Sequence, residues 1–236
     1  MPDFSIAVFG ASGAIGQAIC KWHRAKNYRV IGIGRSSAPP DAVFEENWIS
    51  WDGGESTDAF SILEGQGFNA VVWAQGANAS DDIYSFDLKT HEKMYAANIT
   101  YVLLGLQALL RRNLLIPPAR LCIISSIWQN IARQNKLSYC VTKSALQGLV
   151  QSLSVDLGVT GCMVNAVLPG PLDTPMTREN LSAEQLELLK QTTPLHTLPA
   201  LDDVCNLVGF LCSRENTGIT GQFIAADRGF SNARFV

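Results

Sequence analysis

The chain has 236 residues, of which 47% are hydrophobic and 17% are charged. This length and composition can bury one sizeable core, so we expect residues 1–236 to form a single domain. The formal net charge of −3 at pH 7 gives no electrostatic reason to expect nucleic acid or an anionic membrane as a partner. Both kinds of partner are therefore disfavoured from the start.

The cysteines and the hydropathy indicate the compartment. Six cysteines occur without any C-x-x-C pair, and most lie in apolar runs, where a free thiol packs as a small hydrophobic group. The first residues lack the features of a signal peptide, and the most apolar stretch, residues 101–110, is too short to span a bilayer. We therefore expect a soluble cytoplasmic protein with reduced thiols.

In chain order, apolar runs of strand length alternate with segments of helical period, which is typical of βαβ units. Strands are predicted at residues 5–9, 29–33, 47–51, 70–74, 120–125, 163–168 and 222–226. Helices are predicted at residues 14–26, 58–64, 88–112, 138–156, 183–190 and 202–213. Pro39-Pro40 and Pro117-Pro118 predict loops. The pattern indicates a single-domain, Rossmann-like doubly wound α/β fold with a seven-stranded parallel sheet flanked by helices.

A loop of small residues follows the first predicted strand and opens the first helix. It contains Gly10, Ser12, Gly13, Ala14, Ile15 and Gly16. Small residues allow the backbone to approach a pyrophosphate, whose charge is favoured by the free N–H groups at the start of a helix. Because the loop stands between a strand and a helix, we predict that these residues bind a dinucleotide; a tight turn without a ligand is the alternative.

The end of the second predicted strand indicates which dinucleotide binds. An acidic residue about 20 residues after the loop favours NAD, whereas a basic residue accommodates the 2′-phosphate of NADP. The sequence there reads Gly34-Arg35-Ser36-Ser37, and a guanidinium with hydroxyl groups can bind phosphate. We therefore predict NADP(H) in preference to NAD(H), with Arg35 and Ser36 as contacts, unless Arg35 is only a solvated loop residue. Asp52 either hydrogen-bonds the adenine or caps a turn.

Tyr139 and Lys143 are the candidate acid/base pair. They are four residues apart at the start of a predicted helix and therefore share one face. A phenol titrates near 10, and acid/base chemistry near neutrality needs a shift of about three units, or roughly 4 kcal/mol, which a neighbouring ammonium favours. Of the five tyrosines, only Tyr139 has a lysine four residues later. Such pairs also arise by chance on helix surfaces, so the pair alone does not define a site.

With further segments, this pair resembles the classical short-chain dehydrogenase/reductase family over essentially the whole chain. Ser126, thirteen residues before Tyr139, matches the family's carbonyl-binding serine, and Asn98 matches its helix asparagine. The other matches are residues 165–175 with the family's sixth-strand segment, and residues 219–222 and 227–229 with its carboxyl-terminal signature. The match of five segments in one order identifies the chain as similar to this family.

The resemblance implies an NAD(P)-dependent oxidoreductase that interconverts a ketone or aldehyde and an alcohol. Tyr139 would be the general acid/base, and Ser126 would bind the carbonyl oxygen. Lys143 would lower the pKa of the tyrosine and bind the nicotinamide ribose, and Asn98 would hold a water that links Lys143 to solvent. Ser125 competes with Ser126 for the serine role, and the thirteen-residue spacing favours Ser126.

The resemblance also implies further cofactor contacts and shows three departures. The implied contacts are Ala74, Gln75 and Gly76 after the fourth strand, and Pro169, Gly170, Leu172 and Thr174 around the nicotinamide. The departures are Ala14 at a loop position where the family has glycine, Trp73-Ala74-Gln75-Gly76 in place of N-N-A-G, and Asp227-Arg228-Gly229 in place of D-G-G. The first departure gives the spacing G-x-x-G-x-x-G, which is closer to the family's extended, sugar-nucleotide-modifying branch.

The substrate is expected to be a small carbonyl compound or alcohol. Its pocket should include Trp128, Gln129, Asn130, Gln134 and residues 172–196, and this mixture of one aromatic ring with amides favours a polar or cyclic substrate over a long acyl chain. His196 is interpreted as a loop residue, and no cluster of metal ligands is visible in the sequence. Two other functions stay open. The loop spacing suggests an epimerase or isomerase acting on a sugar-like substrate, and the altered N-N-A-G suggests a non-catalytic dinucleotide-binding scaffold.

Finally, the resemblance implies a homo-oligomer, a dimer or a tetramer, that packs the long helices after the fourth and fifth strands. The apolar positions that fit such an interface, and fit ordinary core faces equally well, are Leu103, Leu106, Leu110, Leu146, Leu149 and Leu153.

Overall fold

The computed structural model describes residues 4–39, 47–174, 177 and 182–233. This part of the chain forms one seven-stranded sheet in the order β3-β2-β1-β4-β5-β6-β7, and every neighbouring pair is parallel. The strands are β1 Ser5–Phe9, β2 Arg29–Gly34, β3 Trp48–Ser50, β4 Phe68–Trp73, β5 Leu115–Ile124, β6 Met163–Pro169 and β7 Phe223–Ala226. The predicted Rossmann-like fold is confirmed.

Helices cover both faces of the sheet. They are α1 Ala14–Ala25, α2 Leu88–Tyr95, α3 Tyr101–Arg111, α4 Leu137–Asp156, α5 Ala183–Gln191 and α6 Leu201–Leu211. One core lies between the sheet and α3 with α4, and includes Phe9, Trp73 and Leu106. The other lies between the sheet and α1 with α6, and includes Val8 and Val208. Among the described helices, none has both the length and the apolar character that a membrane span requires.

Three predicted elements differ from the structure. The predicted helix 88–112 is interrupted by a π-helical turn, Ala96–Thr100, between α2 and α3, and the predicted helix 58–64 is a 3-10 helix, Asp58–Leu63. Pro117-Pro118 was predicted as a loop but lies in β5. These prolines fit there because the β4–β5 register shifts between the pairs Phe68–Leu115 and Ala70–Arg120, so the strand needs no ladder N–H from them. Of Pro39-Pro40, the second residue lies outside the described part.

Candidate active site

Tyr139 and Lys143 lie in the first turns of α4, facing the carboxyl end of β5. The Lys143 ammonium is 5.7 Å from the centroid of the Tyr139 ring and donates a hydrogen bond of 3.1 Å to the Ile124 carbonyl oxygen, in the last residue of β5. Lys143 is buried, with 3% of its surface exposed. The structure therefore brings the predicted pair together and fixes the ammonium against the sheet.

Burial governs the titration of both groups. It lowers the pKa of Lys143 to about 8 and raises the pKa of Tyr139. A hydrogen bond with the Ser126 hydroxyl has a smaller, opposite effect and lowers the pKa of Tyr139. The net shift of the Tyr139 pKa is upward, because removal of the phenol from water outweighs the hydrogen bond with Ser126; that Lys143 lowers this pKa stays a prediction. At neutral pH the phenol therefore holds its proton.

The two adjacent serines after β5 have different partners. The Ser125 hydroxyl donates to Gln129 Oε1 over 2.8 Å, inside the protein. The Ser126 hydroxyl instead accepts a bond of 3.3 Å from the Trp128 N–H and reaches the phenol of Tyr139. The geometry therefore favours Ser126 over Ser125 as the residue that faces a substrate carbonyl.

Asn98 lies in the π-helical turn and is 2% exposed. Its Oδ1 accepts from the Ala77 N–H at 2.8 Å, and its Nδ2 donates to the Ala77 carbonyl at 3.1 Å and to Thr142 Oγ1 at 2.9 Å. Thr142 in turn donates to the Tyr139 carbonyl at 3.0 Å. Asn98 thus ties the loop after β4 to α4, a contact that the sequence did not predict because its partner is a backbone group 21 residues away.

The glycine-rich loop has the shape of a phosphate cradle. Gly10 has a φ of +73°, and a side chain there would meet the Gln75 backbone N at 2.4 Å; a Cβ on Gly16 would lie 2.2 Å from the Gly10 carbonyl oxygen. Gly13 caps α1 without a side-chain hydrogen bond, so the first N–H groups of α1 face outward. Its own Cβ would be 3.5 Å from the Gly10 oxygen, an ordinary contact.

The neighbouring loop positions also fit a nucleotide. Ser12, Gly13 and Ala14 are exposed, whereas Ile15 is half-buried against the α1 side of the sheet. Beside them, the Ala74 N–H bonds the Phe9 carbonyl at 2.9 Å. Gln75 Oε1 is buried without a hydrogen-bond partner. A bound dinucleotide with donor groups would satisfy this acceptor, so the residues present fit the cofactor.

The β2 end of the site is exposed. Arg35 and Ser36 face solvent, and the Ser36 carbonyl is held by Trp48 Nε1 at 2.8 Å and Ser50 Oγ at 3.0 Å. Asp52 accepts from the Gly54 N–H at 2.8 Å, as in a capped turn. Burial raises the pKa of Tyr101, and the charges of Arg35 and Asp52 act on it in opposite directions. Arg35 and Asp52, two of the predicted nucleotide contacts, therefore both lie near Tyr101, at the edge of the sheet formed by β2 and β3.

The segment after β6 packs against the end of β7 and against the core. The Gly170 N–H bonds the Ala226 carbonyl at 3.2 Å, and a Cβ on Gly170 would lie 2.8 Å from Asp227 Cβ, which explains the glycine directly after Pro169. Leu172 packs in the core beside α1 and α6, and its contact with the cofactor stays a prediction. Thr174 Oγ1 is 3.1 Å from Thr177 Oγ1. Residues 175–176 and 178–181 of the predicted substrate segment lie outside the described residues.

In the segment predicted to line the substrate pocket, Trp128 packs against two side chains. The Arg133 guanidinium lies 5.7 Å from its ring centroid, and Phe230 packs edge-on against it at 6.2 Å. Gln129, predicted to contact the substrate, is buried, and its Oε1 accepts a hydrogen bond from Ser125; its contact with a substrate stays a prediction. Asn130 and Gln134 are exposed, as is His196 in its loop.

The comparisons with known proteins agree with this geometry. The family model described as enoyl-(acyl carrier protein) reductase matches residues 62–231. The 3-oxoacyl-(acyl-carrier-protein) reductase FabG of Aquifex aeolicus is 28% identical and covers 94% of this chain and 95% of its own length. The 3-oxoacyl-(acyl-carrier-protein) reductase MabA of Mycobacterium avium is also 28% identical, over 95% of this chain and 89% of its own. A solved short chain dehydrogenase family protein from Francisella tularensis superposes with a TM-score of 0.85 at 24% identity, over 97% of this chain and 98% of its own.

The fold and the site define an NAD(P)-dependent oxidoreductase that acts on CH–OH and C=O groups. The chain belongs to the short-chain dehydrogenase/reductase family.

Proposed function

We propose that this protein is an NADP(H)-dependent reductase of a 3-oxoacyl thioester, with Tyr139 as the general acid/base. The main observation in support is that the Tyr139 phenol, the Ser126 hydroxyl and the Lys143 ammonium meet at the carboxyl end of β5. A buried phenol with a raised pKa is protonated at neutral pH, which suits delivery of a proton to a carbonyl oxygen.

The side chains divide the work as follows. NADPH, when bound, supplies a hydride to the carbonyl carbon. Ser126 donates a hydrogen bond to the carbonyl oxygen as negative charge develops there. The O–H bond of Tyr139 breaks and its proton moves to the same oxygen, which completes the alcohol. The phenol is then restored by a proton from Lys143, which has a pKa of about 8 and is the more acidic of the two groups, and Lys143 regains a proton from solvent.

The test of this mechanism is the Tyr139→Phe variant. It should lose NADPH consumption with a carbonyl substrate, while NADPH binding measured by nicotinamide fluorescence changes little, since the phenyl ring keeps the packing. Wild-type turnover in this variant would refute the role of Tyr139.

The preference for NADP(H) rests on Arg35. Its guanidinium is exposed at the end of β2, beside the cradle formed by Gly10 and Gly16, where no acidic side chain follows the strand directly. Arg35→Asp should shift the ratio of kcat/KM for NADPH and NADH toward NADH, whereas Arg24→Asp, an exposed change in the last turn of α1, should leave the ratio unchanged. An unchanged ratio in Arg35→Asp would show that Arg35 does not bind the 2′-phosphate.

The 3-oxoacyl class is supported by the names of the relatives and by the aromatic pair of Trp128 and Phe230. It differs from the polar or cyclic substrate that the sequence favoured, a prediction that rested on the ring of Trp128 and the amides of Gln129, Asn130 and Gln134. The description of the matching family model favours a second candidate, reduction of an enoyl thioester. Acetoacetyl-coenzyme A and crotonyl-coenzyme A as alternative substrates separate the two, and consumption of NADPH only with the crotonyl compound would refute carbonyl reduction.

The same assay addresses the earlier alternatives. An epimerase would convert a sugar-like stereocentre without net consumption of NADPH, and a non-catalytic scaffold would bind NADPH without turnover of any substrate. The presence of Ser126, Tyr139 and Lys143 in one site supports an enzyme over a scaffold.

We also propose a homo-oligomer assembled through α3 and its neighbours. Leu103 and Leu110 are exposed on α3, whereas Leu106 and Leu146 lie in the core; Leu149 and Leu153 pack partly against that core. Light scattering should show a dimer or tetramer that Leu103→Glu weakens. A cytoplasmic location is supported by six free cysteines, five of them buried, and the single domain over residues 1–236 stays a prediction.

A further inference from the structure

The loop after β4 runs alongside the first turn of α4, the helix that carries Tyr139. Asp81 forms an isolated parallel bridge with Lys136: its carbonyl accepts from the Leu137 N–H at 3.1 Å, and its N–H donates to the Asn135 carbonyl at 3.3 Å. The Lys136 ammonium bonds back to this loop, at Asn78, Ala79 and Ser80, with distances of 3.0 to 3.1 Å. The start of α4 is thus held by a segment more than 50 residues away.

The carboxylate of Asp81 also supplies the cap that α4 lacks locally. Lys136 precedes the helix and makes no side-chain capping bond. Instead, the Ser138 N–H donates to Asp81 Oδ1 at 3.1 Å and to Oδ2 at 3.3 Å, and the Ser138 hydroxyl donates to Oδ2. Asp81 is 7% exposed and Ser138 is fully buried. A carboxylate is stabilised at this place by the free N–H groups and by the helix dipole.

His91 completes the arrangement from α2. Its Nδ1 lies 2.8 Å from the Ser138 hydroxyl oxygen. Because Ser138 donates its only hydroxyl proton to Asp81, Nδ1 of His91 carries a proton and donates to Ser138. Ser138, the residue immediately before Tyr139, is therefore held from two sides, by the buried Asp81 and the half-buried His91.

From these contacts we infer that Asp81 is a positioning residue for the reaction: it fixes the start of α4, and thereby the place of the Tyr139 phenol opposite Ser126. The inference rests on the proposed function, since it needs Tyr139 to be the general acid/base. It predicts that loss of the carboxylate displaces the phenol without emptying the nucleotide site. The glycine-rich loop is on another element, and the end of the β4 loop that carries Gln75 is held separately, by Asn98 at Ala77.

The experiment compares Asp81→Ala and Asp81→Asn with the neighbouring control Asp82→Asn. Asp82 is matched in chemistry, but its carboxylate accepts from Tyr84 and Ser85 within its own loop. With acetoacetyl-coenzyme A and NADPH, well below the melting temperature of each variant, Asp81→Ala should lower kcat by about tenfold to hundredfold, as a displacement near 1 Å does. The NADPH Kd should stay within about twofold, since α1 and its loop are untouched. Asp81→Asn keeps an acceptor for the Ser138 N–H and should recover part of kcat, and Asp82→Asn should equal the wild type.

Each result decides the matter. Wild-type kcat in folded Asp81→Ala, or kcat and NADPH binding that fall together with the folded fraction, would overturn the positioning role. If Asp81→Ala does not fold, Asp81→Asn and Ser138→Ala carry the test, and wild-type kcat in both overturns it. Tyr139→Phe serves as the reference: full turnover in that variant would refute the proposed function itself, whereas a dead Tyr139→Phe beside a fully active Asp81→Ala would refute only the role of Asp81.

Discussion

Replacing Ser126 by alanine tests which hydroxyl at the end of β5 stabilises the reacting carbonyl. The Ser126 hydroxyl contacts the Tyr139 phenol and the Trp128 N–H, and its bond with the Trp128 N–H is long, at 3.3 Å. Loss of one preorganised donor to a developing oxyanion lowers kcat by about 10² to 10³, or roughly 2.7–4 kcal/mol. Ser126→Ala should therefore lose most of its turnover and keep nearly all of its stability.

Ser125→Ala is the matched control, because the two serines are adjacent and both buried. It removes the bond of 2.8 Å to Gln129 Oε1 and leaves a buried acceptor without its partner, which costs about 1–3 kcal/mol of stability. The Ser125 hydroxyl has no contact with Tyr139 in the structure, so kcat should be nearly unchanged. The pair thus predicts opposite patterns, one variant impaired in turnover and the other in stability.

The assay is NADPH consumption with acetoacetyl-coenzyme A, run beside urea unfolding of each variant. A large loss of kcat in Ser125→Ala, with Ser126→Ala fully active, would show that the thirteen-residue spacing selected the wrong serine. Equal losses of kcat and stability in both variants would show that neither hydroxyl has a separate catalytic role.

Two further predictions follow from the loop and from the buried lysine. Gly16→Ala should abolish NADPH binding in calorimetry, since its methyl would lie 2.2 Å from the Gly10 carbonyl oxygen, whereas Gly13→Ala, at 3.5 Å from that oxygen, should still bind; equal binding by both would refute the cradle. Burial lowers the pKa of Lys143 from 10.5 to about 8, so between those values the unfolded chain binds more protons and stability rises with pH. Lys143→Met should flatten this rise in urea titrations, and an unaltered pH dependence would contradict the assignment.

The central strands and the acid/base pair could be predicted because their signals are local. β1 and β6 are buried along their whole length. Each has a single polar residue, Ser5 in β1 and Asn165 in β6, so each sequence by itself is typical of a buried parallel strand. The spacing of Tyr139 and Lys143 places both on one face of any helix that starts near residue 137. The alternation of strand and helix patterns along the chain then predicted the Rossmann-like fold.

The contacts that hold the elements of the site together could not be predicted, because they join residues distant in sequence. The π-helical turn places Asn98 on the backbone of Ala77, and a helical pattern in residues 88–112 carries no sign of that interruption. The raised pKa of Tyr139 likewise follows from burial, which depends on the packing of the whole domain.

The altered segment Trp73-Ala74-Gln75-Gly76 can be judged by what holds the loop that follows it. Trp73 is buried and stacks on Phe9 with ring centroids 5.4 Å apart, so it fills the core instead of offering a side-chain amide. The loop is nevertheless fixed, by Asn98 at Ala77 and by the Asp81 carboxylate at Ser138. Gly76 then remains beside the site, where a Cβ would be 3.6 Å from the Lys143 ammonium. The loop therefore lies beside the site although the asparagines of N-N-A-G are absent, which argues against a scaffold that has lost its chemistry.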